Sequence, residues 1–116
     1  MDTKEFVNKI VELIQNKRGR QIRILDLQKL TPLADYFIVC SGDSDTQVKA
    51  IADEVDKKLA DEGIKCYYKE GYNTLSWVLL DYFDVVVHIF LNKVRSFYQL
   101  EDLWADADVT TFKDVY

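Results

Sequence analysis

The spacing of apolar residues changes along the chain, and each change marks an element. Over residues 3–18, Phe6, Val7, Ile10, Leu13 and Ile14 recur at helical spacing among charged residues, which predicts an amphipathic helix. Asp2 stands where an N-cap belongs, and Lys17-Arg18-Gly19 suits the last turn. Gln21 to Leu27 then alternates, with Ile22 and Ile24 on one side of a strand. Pro32 restricts Thr31 to extended geometry, so Leu30 to Leu33 reads as an irregular connection. A second strand runs from Ala34 to Gly42. Ser44 and Gln47 follow at capping-box spacing and open a helix reaching about Glu62, with Val48, Ile51, Val55 and Leu59 as its buried stripe and Gly63 at its end. Ile64 to Tyr68 is expected as a third strand.

The chain is organised around Ser76 to Leu91. Two short apolar flanks, rich in β-branched and aromatic residues, surround Asp81 to Asp84 and predict a hairpin. In the second flank Val85, Val87, Ile89 and Leu91 alternate with Val86, His88 and Phe90, so this strand is covered on both faces and lies centrally. A loop with an even number of residues places Trp77 opposite His88 and Leu79 opposite Val86; a three-residue loop shifts that register. No Asn-Gly pair fixes the turn type. Asn92 can cap a short helix carrying Val94, Phe97 and Tyr98, and Leu100, Leu103 and Trp104 extend a packing surface. Periodicity fades past Ala105, so a single domain over residues 1–108 is expected to end in a tail over 109–116. The order α-β-β-α-β-β-β-α predicts an α/β fold, a mixed sheet of about five strands flanked by helices.

Composition narrows the class. A chain of 116 residues makes one domain and buries roughly two thirds of the surface it exposes when unfolded. With 48% hydrophobic and 30% charged residues it is a globular chain, and one proline and four glycines leave no flexible linker to divide it. Cys40 and Cys66 lie in apolar runs and are expected as buried structural thiols; with His88 they are too few for a zinc site, so no metal or cofactor is expected. The first residues hold no apolar signal core and no Arg-rich transit pattern, and no run reaches membrane-spanning length. A cytoplasmic location without membrane contact is the expectation. The net charge of −5 argues against a grip on phosphate backbone, which needs a basic stripe. Little direct nucleic-acid contact is therefore expected, and a basic protein is the better partner.

Candidate chemistry is sparse. Ser41-Gly-Asp-Ser-Asp45 sits at a strand-to-helix junction, where a nucleotidyltransferase holds triphosphate, yet Ile64 to Tyr68 offers no Asp-x-Asp pair for two magnesium ions. Acidic residues near the positive end of a helix account for that turn. His88, the only histidine, is flanked by Val87 and Ile89 with no nucleophile specified beside it, which suits a structural residue better than a general base. An enzyme, the competing reading, would be a small metal-dependent nucleotidyltransferase or hydrolase using Asp43, Asp45 and His88. Asp81 and Asp84 flank a turn, as solvated turn formers do. More informative are Trp77, Tyr82, Phe83, Tyr98 and Trp104. Beside Asp81, Asp84, His88 and Arg95 they have the mixed aromatic and polar character of an interface hot spot.

These segments are also similar to a known family. Leu33-Ala-Asp-Tyr-Phe-Ile-Val-Cys-Ser-Gly42, Gln47-Val-Lys-Ala-Ile-Ala-Asp-Glu54, Trp77-Val-Leu-Leu-Asp-Tyr82, Asp84-Val-Val-Val-His-Ile-Phe90 and Arg95-x-Phe-Tyr-x-Leu-Glu-x-Leu-Trp-x-Asp-Ala107 resemble the Iojap-like ribosomal silencing factors, in that family's order. The resemblance implies a nucleotidyltransferase-like α/β fold without the transferase active site. It implies binding to the large ribosomal subunit through its fourteenth protein, which blocks joining of the small subunit and represses translation when nutrients are limited. Two departures stand out: Phe83 occupies a turn position where many members have glycine, and Tyr72-Asn-Thr-Leu75 is a variable stretch. Trp77, Asp81, Tyr82 and Asp84 are expected at the partner surface, with Tyr36, His88, Phe90 and Arg95 touching it or holding its shape. A homodimer is a further expectation, because a small sheet leaves an edge to cover. A dimeric scaffold for some other protein is the third reading.

Overall fold

The structure, a computed structural model, describes residues 2–98 and 105–114. Helix α1 (Thr3–Asn16) starts as its cap predicts, with the Asp2 carboxylate accepting the Glu5 N–H at 2.8 Å, and buries Val7, Ile10, Val11, Leu13 and Ile14. Strands β1 (Arg20–Asp26) and β2 (Tyr36–Gly42) precede helix α2 (Asp45–Asp61), whose buried stripe is the expected one with Ala52 added. The capping box forms with one change. Ser44 Oγ accepts the Gln47 N–H at 3.1 Å, but Gln47 Oε1 takes the N–H of Asp43 at 2.6 Å. Its Nε2 donates to the carbonyls of Lys17 and Arg18, at 3.2 and 3.0 Å, and so ties the start of α2 to the end of α1.

Strands β3 (Tyr68–Glu70), β4 (Trp77–Asp81) and β5 (Val85–Leu91), helix α3 (Asn92–Tyr98) and strand β6 (Asp108–Thr111) complete the order. The six-stranded sheet runs β3-β4-β5-β2-β1-β6, with β2 and β5 parallel and the other pairs antiparallel. It is the mixed sheet of the sequence reading, one strand larger, with β5 central and buried along nearly its whole length.

Two expectations are corrected. The third strand is Tyr68–Glu70 rather than Ile64 to Tyr68, because the end of α2 uses Ile64. The Ile64 N–H bonds the Leu59 carbonyl at 2.9 Å and the Gly63 N–H bonds that of Ala60 at 2.9 Å, with Gly63 at φ +82°. This pair of bonds closes a helix in the Schellman manner and points the next residue back at the helix instead of into a ladder. The tail over 109–116 does not hold for its first residues. Asp108–Thr111 pairs with β1, Leu25 facing Val109, and covers an edge that β1 would otherwise expose.

Residue parity on the hairpin is as expected, but its pairing is moved by two. Trp77 faces Phe90, Leu79 faces His88 and Asp81 faces Val86. The Tyr82 N–H reaches the Val85 carbonyl at 2.9 Å, so the ladder runs one rung past Asp81 and leaves Phe83 and Asp84 at the tip. Phe83, at φ +70°, is the centre of a γ-turn closed by the Asp84 N–H on the Tyr82 carbonyl at 3.0 Å.

Both helices α1 and α2 pack on one sheet face, where Ile10, Ile14, Ile51 and Leu59 meet Ile38, Cys40, Leu80, Val87 and Ile89 in one core. Burial pushes the Cys40 thiol up to about 12. The opposite face holds a smaller cluster of Leu25, Leu27, Val39 and Phe90, with Phe37, Trp77 and Ala107 against it.

Candidate interaction surface

Four of the residues singled out from the sequence are buried. Tyr82 is 8% exposed and sets its ring edge-on to Phe6 at 5.6 Å, on the helix side of the sheet. Its hydroxyl and that of Tyr72 are buried without a hydrogen-bond partner among the described residues, and burial raises both phenols above the usual tyrosine range. On the other face His88 is 3% exposed, and its Nδ1 accepts the indole N–H of Trp77 at 3.0 Å, which puts the neutral ring's proton on Nε2. Phe37 meets His88 edge-on at 4.5 Å, and Trp77 stacks on Phe90 at 5.1 Å. Arg95 is buried as well. Its Nη1 donates to Ser41 Oγ and to the Gln21 carbonyl, each at 2.8 Å, and clamps α3 onto β1 and β2. Tyr82, His88, Phe90 and Arg95 therefore hold a shape; Trp77 is half-buried beside Phe90, at the end of the hairpin away from its tip.

The exposed members gather at one end of the sheet. Register puts Asp26 beside Tyr36, Tyr36 beside Val85, and Asp81 beside Tyr68, so the β1–β2 loop, the hairpin tip and the start of β3 share that end. Backbone bonds join them, with the Asp84 carbonyl accepting the N–H groups of Asp35 and Tyr36 at 2.8 and 3.0 Å. Five of the six exposed large hydrophobic residues among the described residues lie here: Leu30, Leu33 (83% exposed), Tyr67, Tyr68 and Phe83. The sixth, Val109, is one rung in on β6. The rings of Tyr67 and Phe83 pack at 4.0 Å. Tyr36 is half-buried, its hydroxyl accepting from Gln28 Nε2 at 2.7 Å, and burial with the nearby Asp26 carboxylate raises its pKa.

Four acidic residues away from this end are held in ion pairs. Asp43, Asp53, Asp56 and Glu62 are engaged by Arg20, Lys49, Lys69 and Lys9 respectively. Asp2, Asp26, Asp35, Asp81 and Asp84 have no ion pair among the described residues. Of these, Asp2 and Asp84 are exposed and Asp26, Asp35 and Asp81 half-buried. Sequence reasoning found Asp81, Asp84 and Tyr36 but missed Leu33, Tyr67 and Tyr68. The one available signal was Leu33, an apolar residue beside Pro32 in a connection with no periodicity.

The groups of the enzyme reading do not form one site. Asp43 is paired with Arg20, Asp45 Oδ1 accepts the Thr46 N–H at 2.7 Å, and His88 is sealed under Trp77 and Phe37. Among the described residues no group of three or more His, Cys, Asp or Glu side chains could hold a metal ion. Nor is any helix among them long and apolar enough to cross a membrane. Of the aromatic group, Trp104 lies outside the described residues, as do Leu100 and Leu103 and the side chains of Phe97 and Tyr98.

The sequence and the fold both match known proteins. A family model described as "Ribosomal silencing factor during starvation" matches residues 1–115. The chain is 37% identical over 115 residues to ribosomal silencing factor RsfS of Halalkalibacterium halodurans, covering 99% of this chain and 98% of that protein. A crystal structure of a Chromobacterium violaceum protein superposes with a TM-score of 0.87 at 41% identity, covering 90% of this chain and 88% of that one. A mouse protein named mitochondrial assembly of ribosomal large subunit protein 1 is 28% identical over 103 residues, covering 84% of this chain and 44% of that protein.

Proposed function

The chain belongs to the ribosomal silencing factor family, and from that premise we propose that it binds the large ribosomal subunit through its fourteenth protein and sterically blocks joining of the small subunit, lowering translation when nutrients are limited. The observation that carries this reading is the concentration of exposed apolar side chains at one end of the sheet, beside carboxylates that no ion pair among the described residues engages. Aromatic anchors supply affinity, and acidic groups steer a basic partner and fix its register. The name of the mouse relative, which refers to the large subunit, supports the same choice of partner.

Blocking of this kind requires no bond to be made or broken. A typical specific interface covers about 800 Å² on each partner. The hairpin tip, the β1–β2 loop and the start of β3 together would form the core of such a patch. In this reading Asp81, Asp84 and Tyr36 touch the partner at this end with Tyr82 buried behind the tip, and half-buried Trp77 extends the contact along the sheet, where His88, Phe90 and Arg95 hold its shape. The protein acts in the cytoplasm and is not an enzyme. A second copy would pair along β3 or β6, the short exposed edge strands.

The test is gradient sedimentation of the purified protein with separated ribosomal subunits, followed by a subunit-joining assay. It should travel with the large subunit and reduce the joined fraction. Failure to travel with that subunit, or travel without any effect on joining, overturns the reading.

A further inference from the structure

Under the hairpin tip lies a cleft of about 190 Å³, lined by Asp2, Thr3, Phe6, Ile64, Tyr82 and Asp84. We infer that it is an anchor socket for one apolar side chain that stands next to a lysine or arginine on the surface of the partner protein. The inference rests on the proposed function, since it names the chemistry that the same sheet end would recognise.

Three observations carry it. First, the walls are apolar and held: Tyr82 is buried and braced edge-on by Phe6, and Ile64 is fixed by its backbone bond to the end of α2. Second, the cleft is smaller than the roughly 300–1,000 Å³ of a small-molecule site, so it suits a single side chain better than a whole ligand. Third, the two carboxylates that flank it, Asp2 and Asp84, are exposed and have no ion pair among the described residues. Asp2 spends one oxygen on the Glu5 N–H and keeps its charge. The neighbouring elements carry Lys4, Lys29 and Lys65, but none of these lines the cleft. An apolar group entering beside a cation would meet both requirements at once, and a phosphate backbone would meet neither. The exposed Tyr67–Phe83 pair sits on the same tip and would shield the contact from water, as the rim of a hot spot does.

The experiment uses isolated large subunits as the probe and two readouts. Hydroxyl-radical oxidation of the unaltered protein should fall at Phe6 and Ile64 when subunits are added, and a zero-length carbodiimide should link Asp2 or Asp84 to a lysine of a subunit protein. Ile64→Lys, which puts a cation into the socket, should weaken binding at least tenfold, while Ile64→Met should bind within about twofold of the unaltered chain. Unchanged oxidation of Phe6 and Ile64 in a complex that does form overturns the socket and leaves the proposed function standing. If the unaltered chain does not bind the subunit at all, both fall. The oxidation measurement needs no substitution, so it decides the matter even if Ile64→Lys fails to fold.

Discussion

Phe83 holds a backbone conformation that glycine would hold without strain, and replacing it separates folding from binding. At φ +70° a residue with a Cβ is destabilised by about 1–2 kcal/mol relative to its relaxed conformation. Phe83→Gly removes that strain. It also frees the unfolded chain, which costs about 0.5–1 kcal/mol, and loses the ring contact with Tyr67. Both rings are more than half exposed, at 62% for Phe83 and 60% for Tyr67, so the contact belongs at the low end of the range for aromatic pairs, about 0.5 kcal/mol. The three contributions leave Phe83→Gly between about 0.5 kcal/mol less stable and about 1 kcal/mol more stable than the unaltered protein. Phe83→Ala loses the same ring and keeps the strain, so it should be less stable than the glycine variant by about 1 kcal/mol. Urea unfolding of the three proteins measures both differences. Alanine equal to or above glycine would refute the strain argument. Large-subunit binding should not follow that order: both variants lack the ring, and both should bind more weakly by over about 1 kcal/mol if the tip contributes to a hot spot.

Further outcomes follow from single contacts. Gly71 has φ +96°, and a Cβ there would collide with the Trp77 carbonyl oxygen, so Gly71→Ala should cost about 3 kcal/mol or more; a loss of unfolding free energy under about 1 kcal/mol would contradict the close approach of this glycine to β4. Trp77→Phe leaves His88 Nδ1 without its indole donor and should cost about 1–3 kcal/mol, read from urea unfolding together with a shift of the His88 ring nitrogen signals in NMR. Cys40 makes stability depend on alkaline pH. Its folded pKa is raised from 9.0 to about 12, so the stabilisation by the neutral thiol is complete below about pH 9 and is lost as pH climbs towards about 12, by up to about 1.4 kcal/mol per pH unit. Cys40→Ala should show a shallower fall of unfolding free energy over that interval, and an unchanged slope would count against a buried neutral thiol. Tyr72 and Tyr82 act in the same direction above pH 10, because their folded pKa values are raised too.

Elements that declare themselves through side-chain periodicity were legible in the sequence. Helices α1 and α2, strands β1, β2 and β5, and the central place of β5 all come from apolar spacing and caps. What was not legible depends on backbone bonds between distant residues. Ile64 has the composition of a strand residue, but its N–H closes α2. Asp108–Thr111 has no alternation of burial, with all four residues exposed, and is a strand only because β1 offers an edge. The hairpin register depended on a γ-turn centred on a phenylalanine, and no turn rule written in terms of Asn-Gly or Gly anticipates that. The candidate site divides in the same way. Chemical type pointed to Trp77, Asp81 and Asp84, but only the fold separates the side chains that face out from those that brace them, and it adds Leu33, Tyr67 and Tyr68 to the first group.

The bracing matters to a protein proposed to act by occupying a surface. Association loses translational freedom and, for each flexible side chain that becomes fixed, about 0.5–1.5 kcal/mol more. At this sheet end much of that ordering is already done. The loop and the hairpin tip are joined at the Asp84 carbonyl, Asp81 Oδ1 accepts the Phe83 N–H at 2.8 Å, and Tyr36 is held by Gln28. The exposed aromatic residues have two side-chain torsions each, far fewer than a lysine-rich surface would need to freeze. A small patch can therefore turn more of its contact energy into affinity, and affinity is the only quantity that competition for a binding face requires. Further along β4 and β5, away from the tip, Trp77, His88 and Phe90 are bonded and stacked, which stiffens the strands that carry the patch.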